Sequence, residues 1–372
     1  MNKKPLLREQ LAAQLREQIA RLQTTEPVRI APERELAEQF GVSRISLRAA
    51  VKLLVEEGLL TQIQGKGTYT TPRKAVRALH LFCSPDIKST DPFYNEFLVE
   101  ITTTAALQAI ALMMVHESQI MAQEPHVPLV VIGVVSESLM ARLTEAYSTV
   151  IVIQGNGQPT SAIHLGFDDY AIGRRAAALL LEAGYRRIAL LAGPDRYPSA
   201  SQRKLGFLDG LAEQDMQADT WTSKMNWSGG YDAAEALEAW IAADPAPAAL
   251  FAANDWMAVG LIQRLKERAV PVPDALAVIG CDNIQLASQF TPALSTFDLD
   301  MKLLTAELMR LLGGVAAKLS AYPDTVASEP ADVPPSERPG ISPTGRDGMQ
   351  SLLLPATLIL RDSFVHRVVK TH

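Results

Sequence analysis

Short, unbroken apolar runs dominate the sequence from residue 78 onward, and they leave few folds open. In Arg187-Ile188-Ala189-Leu190-Leu191-Ala192, no residue after Arg187 suits a solvent-facing side. A strand wetted on one face alternates apolar and polar residues. A continuous run instead predicts a strand covered on both faces, as in a parallel sheet between helices. Further strands are predicted at 78–83, 110–115, 129–135, 149–153, 162–165, 249–252 and 276–280. Between them, helices are predicted at 93–109, 136–147, 169–183, 200–214, 230–243, 255–268 and 300–317. Strand and helix in alternation predict a doubly wound α/β architecture, and the length predicts two such lobes with a cleft between them. Residues 319–350, rich in Pro, Ser, Gly, Asp and Glu, read as a long mobile loop, and a final strand is predicted at 352–360.

The first 71 residues follow another pattern. Leu7, Leu11, Leu15, Ile19 and Leu22 recur at steps of four and three and predict a helix over 5–22. A short helix at 33–39 follows Pro32, and Phe40-Gly41-Val42 reads as a turn. Ser43 is placed to cap a helix running to about Glu57, which Gly58 ends. Residues 59–63 and 68–70, joined through Gly65-Lys66-Gly67, predict a β-hairpin. Two helices around a glycine turn followed by a hairpin make a winged helix-turn-helix, whose second helix fits a DNA major groove. Arg44 and Arg48 lie one turn apart on that helix, and arginine suits bidentate contact with guanine or phosphate.

Charge distribution agrees with this reading. Residues 1–76 hold thirteen Lys or Arg against eight Glu and no Asp, a net of +5 in a chain whose total is −6. A basic head on an acidic body suggests that the head meets a polyanion. Cys83 and Cys281 lie far apart and suggest two buried thiols in a reducing cytoplasm, with neither a disulfide framework nor a metal cluster. No run of eighteen apolar residues predicts a membrane span, and the opening residues lack a signal-peptide core.

Glu33-Arg34-Glu35-Leu36-Ala37, Gly41-Val42-Ser43-Arg44, Leu47-Arg48-Ala49-Ala50, Glu57-Gly58-Leu59-Leu60 and Gly65-Lys66-Gly67-Thr68 resemble the GntR-type winged helix of bacterial regulators. The resemblance implies operator contacts at Arg34, Ser43, Arg44, Ser46, Arg48, Gln64, Gly65 and Lys66. Ala31-Pro32 replaces the usual Pro-Ser, so the Ser cap of the second helix is missing.

The body resembles the effector domain of LacI/GalR regulators, which is similar to periplasmic sugar-binding proteins. The residues carrying this are Arg187 to Pro194, Ser201 to Phe207, Ala252 to Gly260, Ala277 to Asn283, Thr291 to Thr296 and Leu360 to Ser363. A GntR-type head on such a body is the hybrid arrangement of regulators similar to the arabinose repressor. The resemblance implies effector contacts at Phe93, Tyr94, Gln154, Arg203, Trp227, Asn254, Asp255 and Asp282. Planar polar groups pair with vicinal hydroxyls, and an aromatic face takes the C–H side of a sugar ring. Only about thirteen residues separate Val115 from Leu129, where the family has a full helix, so this lobe is trimmed.

Enzyme chemistry finds little support. Gly155-Asn156-Gly157 lacks the third glycine of a dinucleotide loop and reads as a turn. The six histidines show no metal-ligand spacing. Asp168-Asp169 are adjacent at one helix start, so they do not flank a scissile bond and instead suit an N-cap. The expectation is a non-enzymatic, cytoplasmic, homodimeric repressor without a cofactor, binding operator DNA and a small effector, a sugar. Its DNA-binding domain spans 1–71, its linker 72–77 and its effector and dimerisation domain 78–372. Two alternatives stay open, a cleft that docks a protein partner and a carbohydrate-acting enzyme.

Overall fold

A computed structural model describes residues 27–56, 59–63, 65–70, 76–122, 127–155, 161–314 and 350–365, with most positions between 11 and 19. Gln64, most of the expected linker and residues 319–349 of the expected loop lie outside these residues, while Gln350, expected to end that loop, opens a strand. The chain divides into two compact units, Met1–Arg77 with Ala306–Ala331, and Ala78–Thr305 with Asp332–His372.

The first unit holds α1 (helical at the described positions between 11 and 19), α2 (Glu33–Gln39), α3 (Arg44–Glu56), β1 (Leu60–Ile63) and β2 (Gly67–Thr70). The predicted stripe is its core: Leu11, Leu15 and Ile19 join Leu36, Leu47, Leu54 and Leu60, all buried. Gly41 turns the chain from α2 to α3 at φ +64°, a conformation that costs glycine little. The Ser43 hydroxyl accepts from the Ser46 amide at 3.1 Å and caps α3, whereas no side chain caps α2 at Pro32. Strands β1 and β2 pair antiparallel from Leu60↔Thr70 to Ile63↔Gly67. The segment before α2 extends this wing. The Ile30 amide donates to the Thr68 carbonyl at 3.0 Å, and the Thr70 amide to the Val28 carbonyl at 2.8 Å.

The second unit begins with β3 (Ala78–Cys83), α4 (Pro92–Leu107), β4 (Ala111–Met114), β5 (Leu129–Ile132), α5 (Glu137–Ala146), β6 (Val150–Ile153) and β7 (Ile163–Phe167). It continues with α6 (Asp169–Glu182), β8 (Arg187–Ala192), α7 (Pro198–Ala212), β9 (Asp219–Thr222), α8 (Trp227–Ala242) and β10 (Ala248–Ala252). Then come α9 (Asp255–Glu267), β11 (Leu276–Asp282), α10 (Gln285–Gln289), β12 (Ser295–Asp298), β13 (Gln350–Leu354) and β14 (Thr357–Ile359), while α11 (Met301–Gly314) starts in this unit and from Ala306 onward is counted with the first. Two six-stranded sheets result, ordered β13-β7-β6-β5-β3-β4 and β14-β12-β11-β10-β8-β9. All pairings are parallel except β12 with β14. The apolar runs at β5, β6 and β10 are buried throughout, as strands covered on both faces must be.

Three differences from expectation matter. The predicted last strand is two strands in different sheets: β13 lies beside β7 and β14 beside β12. Pro355 stands between them and cannot donate to either ladder. The chain therefore passes between sheets after β7, between β12 and β13, and after β13. Strands β9 and β12 were not predicted, because Asp219–Thr222 and Ser295–Asp298 lack an apolar run. The trimmed stretch agrees with expectation: among its described residues it holds a 3₁₀ turn at Glu117–Ala122 and no full helix, tied to α5 by Arg142 and Glu117 at 2.6 Å. Cys281 is buried as expected, but Cys83 is only half-buried. Among the described residues no helix is long and apolar enough to cross a membrane.

Candidate functional site

In the first unit, α3 presents Arg44, Ile45 and Arg48 to solvent on one face, with Leu47 and Ala50 buried behind them. Ile45 is 83% exposed, unusual for an isoleucine with no partner in its own fold. The Arg48 Nε donates to Glu33 Oε2 at 3.0 Å, which ties the start of α2 to α3 and orients the guanidinium. Arg34 pairs with Glu38 at 3.3 Å, and both stay exposed. Ser43 and Ser46 share a hydroxyl contact at 2.9 Å at the helix start. Lys66 projects from the wing tip between Gly65 at φ +74° and Gly67 at φ +118°. The missing Cβ of Gly67 makes room for another cation, since one built there would stand 3.0 Å from Arg29 Nε.

In the second unit, a cavity of about 320 Å³ opens where residues following strands of both sheets meet. The first sheet's side contributes Phe93, Tyr94 and Gln154, and the second sheet's side contributes Arg203, Asn254 and Asp282. Helices α6 and α7 position the central cation. A Cβ on Gly206 would stand 2.0 Å from the Tyr170 carbonyl, and one on Gly173 2.1 Å from the Arg203 carbonyl, so only glycine allows this approach. The approach brings Arg203 Nε to 2.7 Å from Asp169 Oδ1. Its Nη1 donates to the Ala253 carbonyl at 2.6 Å and to Asp282 Oδ1 at 3.1 Å. Burial opposes the charge on Arg203, but its acidic neighbours Cys281, Asp169 and Asp282 outweigh it and raise its pKa. Burial likewise pushes the Asp169 and Asp282 carboxyls up, against the pull of Arg203. Gln154 at φ +52°, Asp282 at φ +120° and Asn283 at φ +53° hold left-handed backbone at the ends of β6 and β11. Such conformations cost about 1–3 kcal/mol each and persist where the surroundings fix them. The Arg203 bond and the Asn283 amide contact with Asp298, at 3.1 Å, do so here.

Residues 7–70 match the family described as bacterial regulatory proteins, gntR family, and residues 177–334 match the periplasmic binding protein-like domain. The chain joins a GntR-type head to a periplasmic-binding-protein-like body. An uncharacterized HTH-type transcriptional regulator of Streptomyces limosus is 34% identical over 163 residues, 42% of this chain and 45% of the relative. The HTH-type transcriptional repressor PurR of Vibrio cholerae is 35% identical over 125 residues, 33% of this chain and 37% of the relative. The match thus spans less than half the length of either relative. Both are named as regulators of transcription, not as enzymes. A LacI family transcriptional regulator from Enterococcus faecium, solved with bound ribose, shares the fold at a TM-score of 0.59 and 20% identity, covering 77% of this chain and 99% of that one.

Six of the eight residues expected in the cleft of this periplasmic-binding-protein-like body line its cavity; Asp255 and Trp227 do not. Asp255 is fully buried and faces the core over Gly280, with its carboxylate accepting from Thr296 Oγ1 at 2.6 Å and from the Ile284 amide at 3.0 Å. Its neighbour Asn254 caps α9 instead, accepting from Met257 at 2.9 Å. Trp227 stacks on Tyr231 at 4.6 Å within α8. Sequence reading missed Lys88, Arg196, Tyr197, Lys224 and Trp256, which also line the cavity. The first four sit in loops or at a helix cap, where no spacing marks them. On the GntR head it missed Ile45 and Arg29. The head's Arg34, Ser43, Arg44, Ser46, Arg48, Gly65 and Lys66 share one stretch of helix starts and wing, while Gln64 lies outside the described residues.

Proposed function

We propose that the chain is a repressor that binds operator DNA through its head and is controlled by a small hydroxylated effector, a sugar, held in the body's cleft. The observation carrying this reading is the Arg203–Asp282–Asn254 cluster, set in a cavity that both sheets line. A carboxylate and an amide beside a fixed guanidinium pair with vicinal hydroxyls, and Phe93, Tyr94 and Trp256 offer apolar faces to a ring. A ligand touching residues from both sheets favours the arrangement in which the lobes meet it together. The reading divides the chain into a DNA-binding head over 1–71, a linker over 72–77 and an effector and dimerisation body over 78–372, in a cytoplasmic homodimer. Val99 and Leu107 on α4 and Met113 and Met114 on the open edge strand β4 are exposed apolar side chains at this edge, which a second copy would cover.

Fluorescence anisotropy on a selected operator tests the head. Arg48→Ala is expected to weaken specific binding by about 1–3 kcal/mol, and Lys66→Ala to weaken all sequences alike and lower the salt slope by about one. Unchanged affinity in both variants at matched salt would overturn the reading face. Adding sugars to the same assay tests the control: the expected result is a ligand-dependent change in operator affinity.

A further inference from the structure

We propose that the effector is an anionic polyol, a sugar acid or sugar phosphate, whose negative group is held by Lys88, Arg196 and Lys224. This rests on the reading of the cleft as an effector site and narrows what that site takes. Four cations line the cavity, Lys88, Arg196, Arg203 and Lys224, against three carboxylates, Asp86, Asp91 and Asp282. Arg203 and Asp282 engage each other, and Arg203 also engages Asp169, so this pair offers no net positive charge to a ligand. Asp91 stands at the N-terminal cap of α4. Among the described residues, Lys88 and Lys224 make no ion pair. The polar partner of Arg196 is the neighbouring Tyr197 hydroxyl at 3.0 Å, with Asp86 acting on it only through its field. Three cations outside any ion pair thus line the cavity, with the Asp86 and Asp91 carboxylates in the same lining.

Their placement suggests a role. Lys88 follows β3 of the first sheet, while Arg196 and Lys224 follow β8 and β9 of the second. Like charges from two lobes repel across an empty cleft, and an anion between them turns that repulsion into a bridge. A charged ligand would therefore favour the approach of the lobes more than a neutral one of the same shape. The surrounding backbone has the same sign. Cap or first-turn residues of α4, α7, α8 and α9 all line this cavity, so four helix N-termini add partial positive charge beside the three cations. Lysine supplies a point charge and arginine a planar fork, which together suit a carboxylate or a phosphate. The Arg203–Asp282–Asn254 cluster is left to the hydroxyls.

The test uses the full-length protein and matched probes: glucose, glucuronate, glucose 6-phosphate, ribose, ribonate, ribose 5-phosphate and inorganic phosphate. Calorimetry and thermal shift compare each charged sugar with its neutral parent. The expected result is that a charged member binds at least about tenfold tighter than its parent, with affinity that falls as salt rises. The acid and phosphate arms tell which anion is preferred. Lys88→Ala and Lys224→Ala lie at exposed side chains, so the fold is expected to persist, and each should weaken the charged sugar about tenfold without moving a neutral one. Neutral sugars binding as tightly as charged ones, or unchanged affinity in both variants, would overturn the proposal and leave the cleft as a sugar site. No binding of any sugar, charged or neutral, would overturn that reading as well.

Discussion

Replacing Arg203 with alanine would leave two buried carboxylates, Asp169 and Asp282, without their shared cation. Removing one partner of a buried ion pair costs about 3–5 kcal/mol, so the expected outcome is a loss of that order in urea denaturation, before any ligand is added. Arg203 is therefore a structural residue as well as a candidate contact. Asp255 allows a pH test. Burial raises its pKa to about 7, against the Thr296 and Ile284 hydrogen bonds and the fields of Arg203 and Arg361. Its ordinary value is 3.8, so between about pH 4 and 7 the folded chain keeps a proton that the unfolded chain has released. Stability then falls as pH rises through that window, by about 1.4 kcal/mol for each pH unit. Asp255→Asn should flatten the fall in Tm across it; an unchanged slope would mean that Asp255 is ionised in the fold. At this scale the sequence is only partly legible. In both Asp168-Asp169 and Asn254-Asp255 the first residue caps a helix and the second turns inward. Adjacent residue types say nothing about which of the two will face the cleft.

Helix pairs decide how those residues meet. Gly173 and Gly206 let α6 and α7 touch backbone to backbone, and this contact sets the distance from Asp169 to Arg203. Gly206→Ala would place a methyl group against the Tyr170 carbonyl, where no side chain can yield. The expected cost is about 1–3 kcal/mol in chemical denaturation, with weaker effector binding because Arg203 is displaced. Full stability in that variant would show that the helices can separate freely. Elements with a clear period were legible from sequence: the strands at β8 and β10 and the helices at α6, α7 and α9 fall within a few residues of their predicted places. Strands β9 and β12 were not, because neither has an apolar run: β9 is held by pairing with β8 at the sheet edge and β12 by pairing with β11 and β14. The split of the last strand was hidden for a related reason. Pro355 was visible, but which sheet each half joins depends on partners nearly two hundred residues earlier in one case.

At the scale of the whole molecule, a head of net +5 is joined to a body that makes the chain −6 overall. The acidic body opposes indiscriminate binding to a polyanion, so in the proposed dimer operator affinity would come from the reading face and from two heads acting together. Two heads require a dimer, and a two-fold dimer needs a self-complementary face. In the proposed dimer, exposed apolar side chains on α4 and β4 would supply one. Leu107 is 84% exposed, so replacing it removes little packing. Leu107→Glu places a charge among these side chains, and burying it against its own copy would bring two like charges together. The variant is expected to sediment as a monomer at concentrations where the parent chain is a dimer, with an unchanged unfolding midpoint for the monomeric fold. Its affinity for a two-half-site operator should fall at least about tenfold, while its affinity for a single half-site should stay the same, because only the linkage between heads is lost. A variant that remains dimeric would move the dimer interface to another face of the body. A monomeric variant with full affinity for the double site would mean that the heads bind independently.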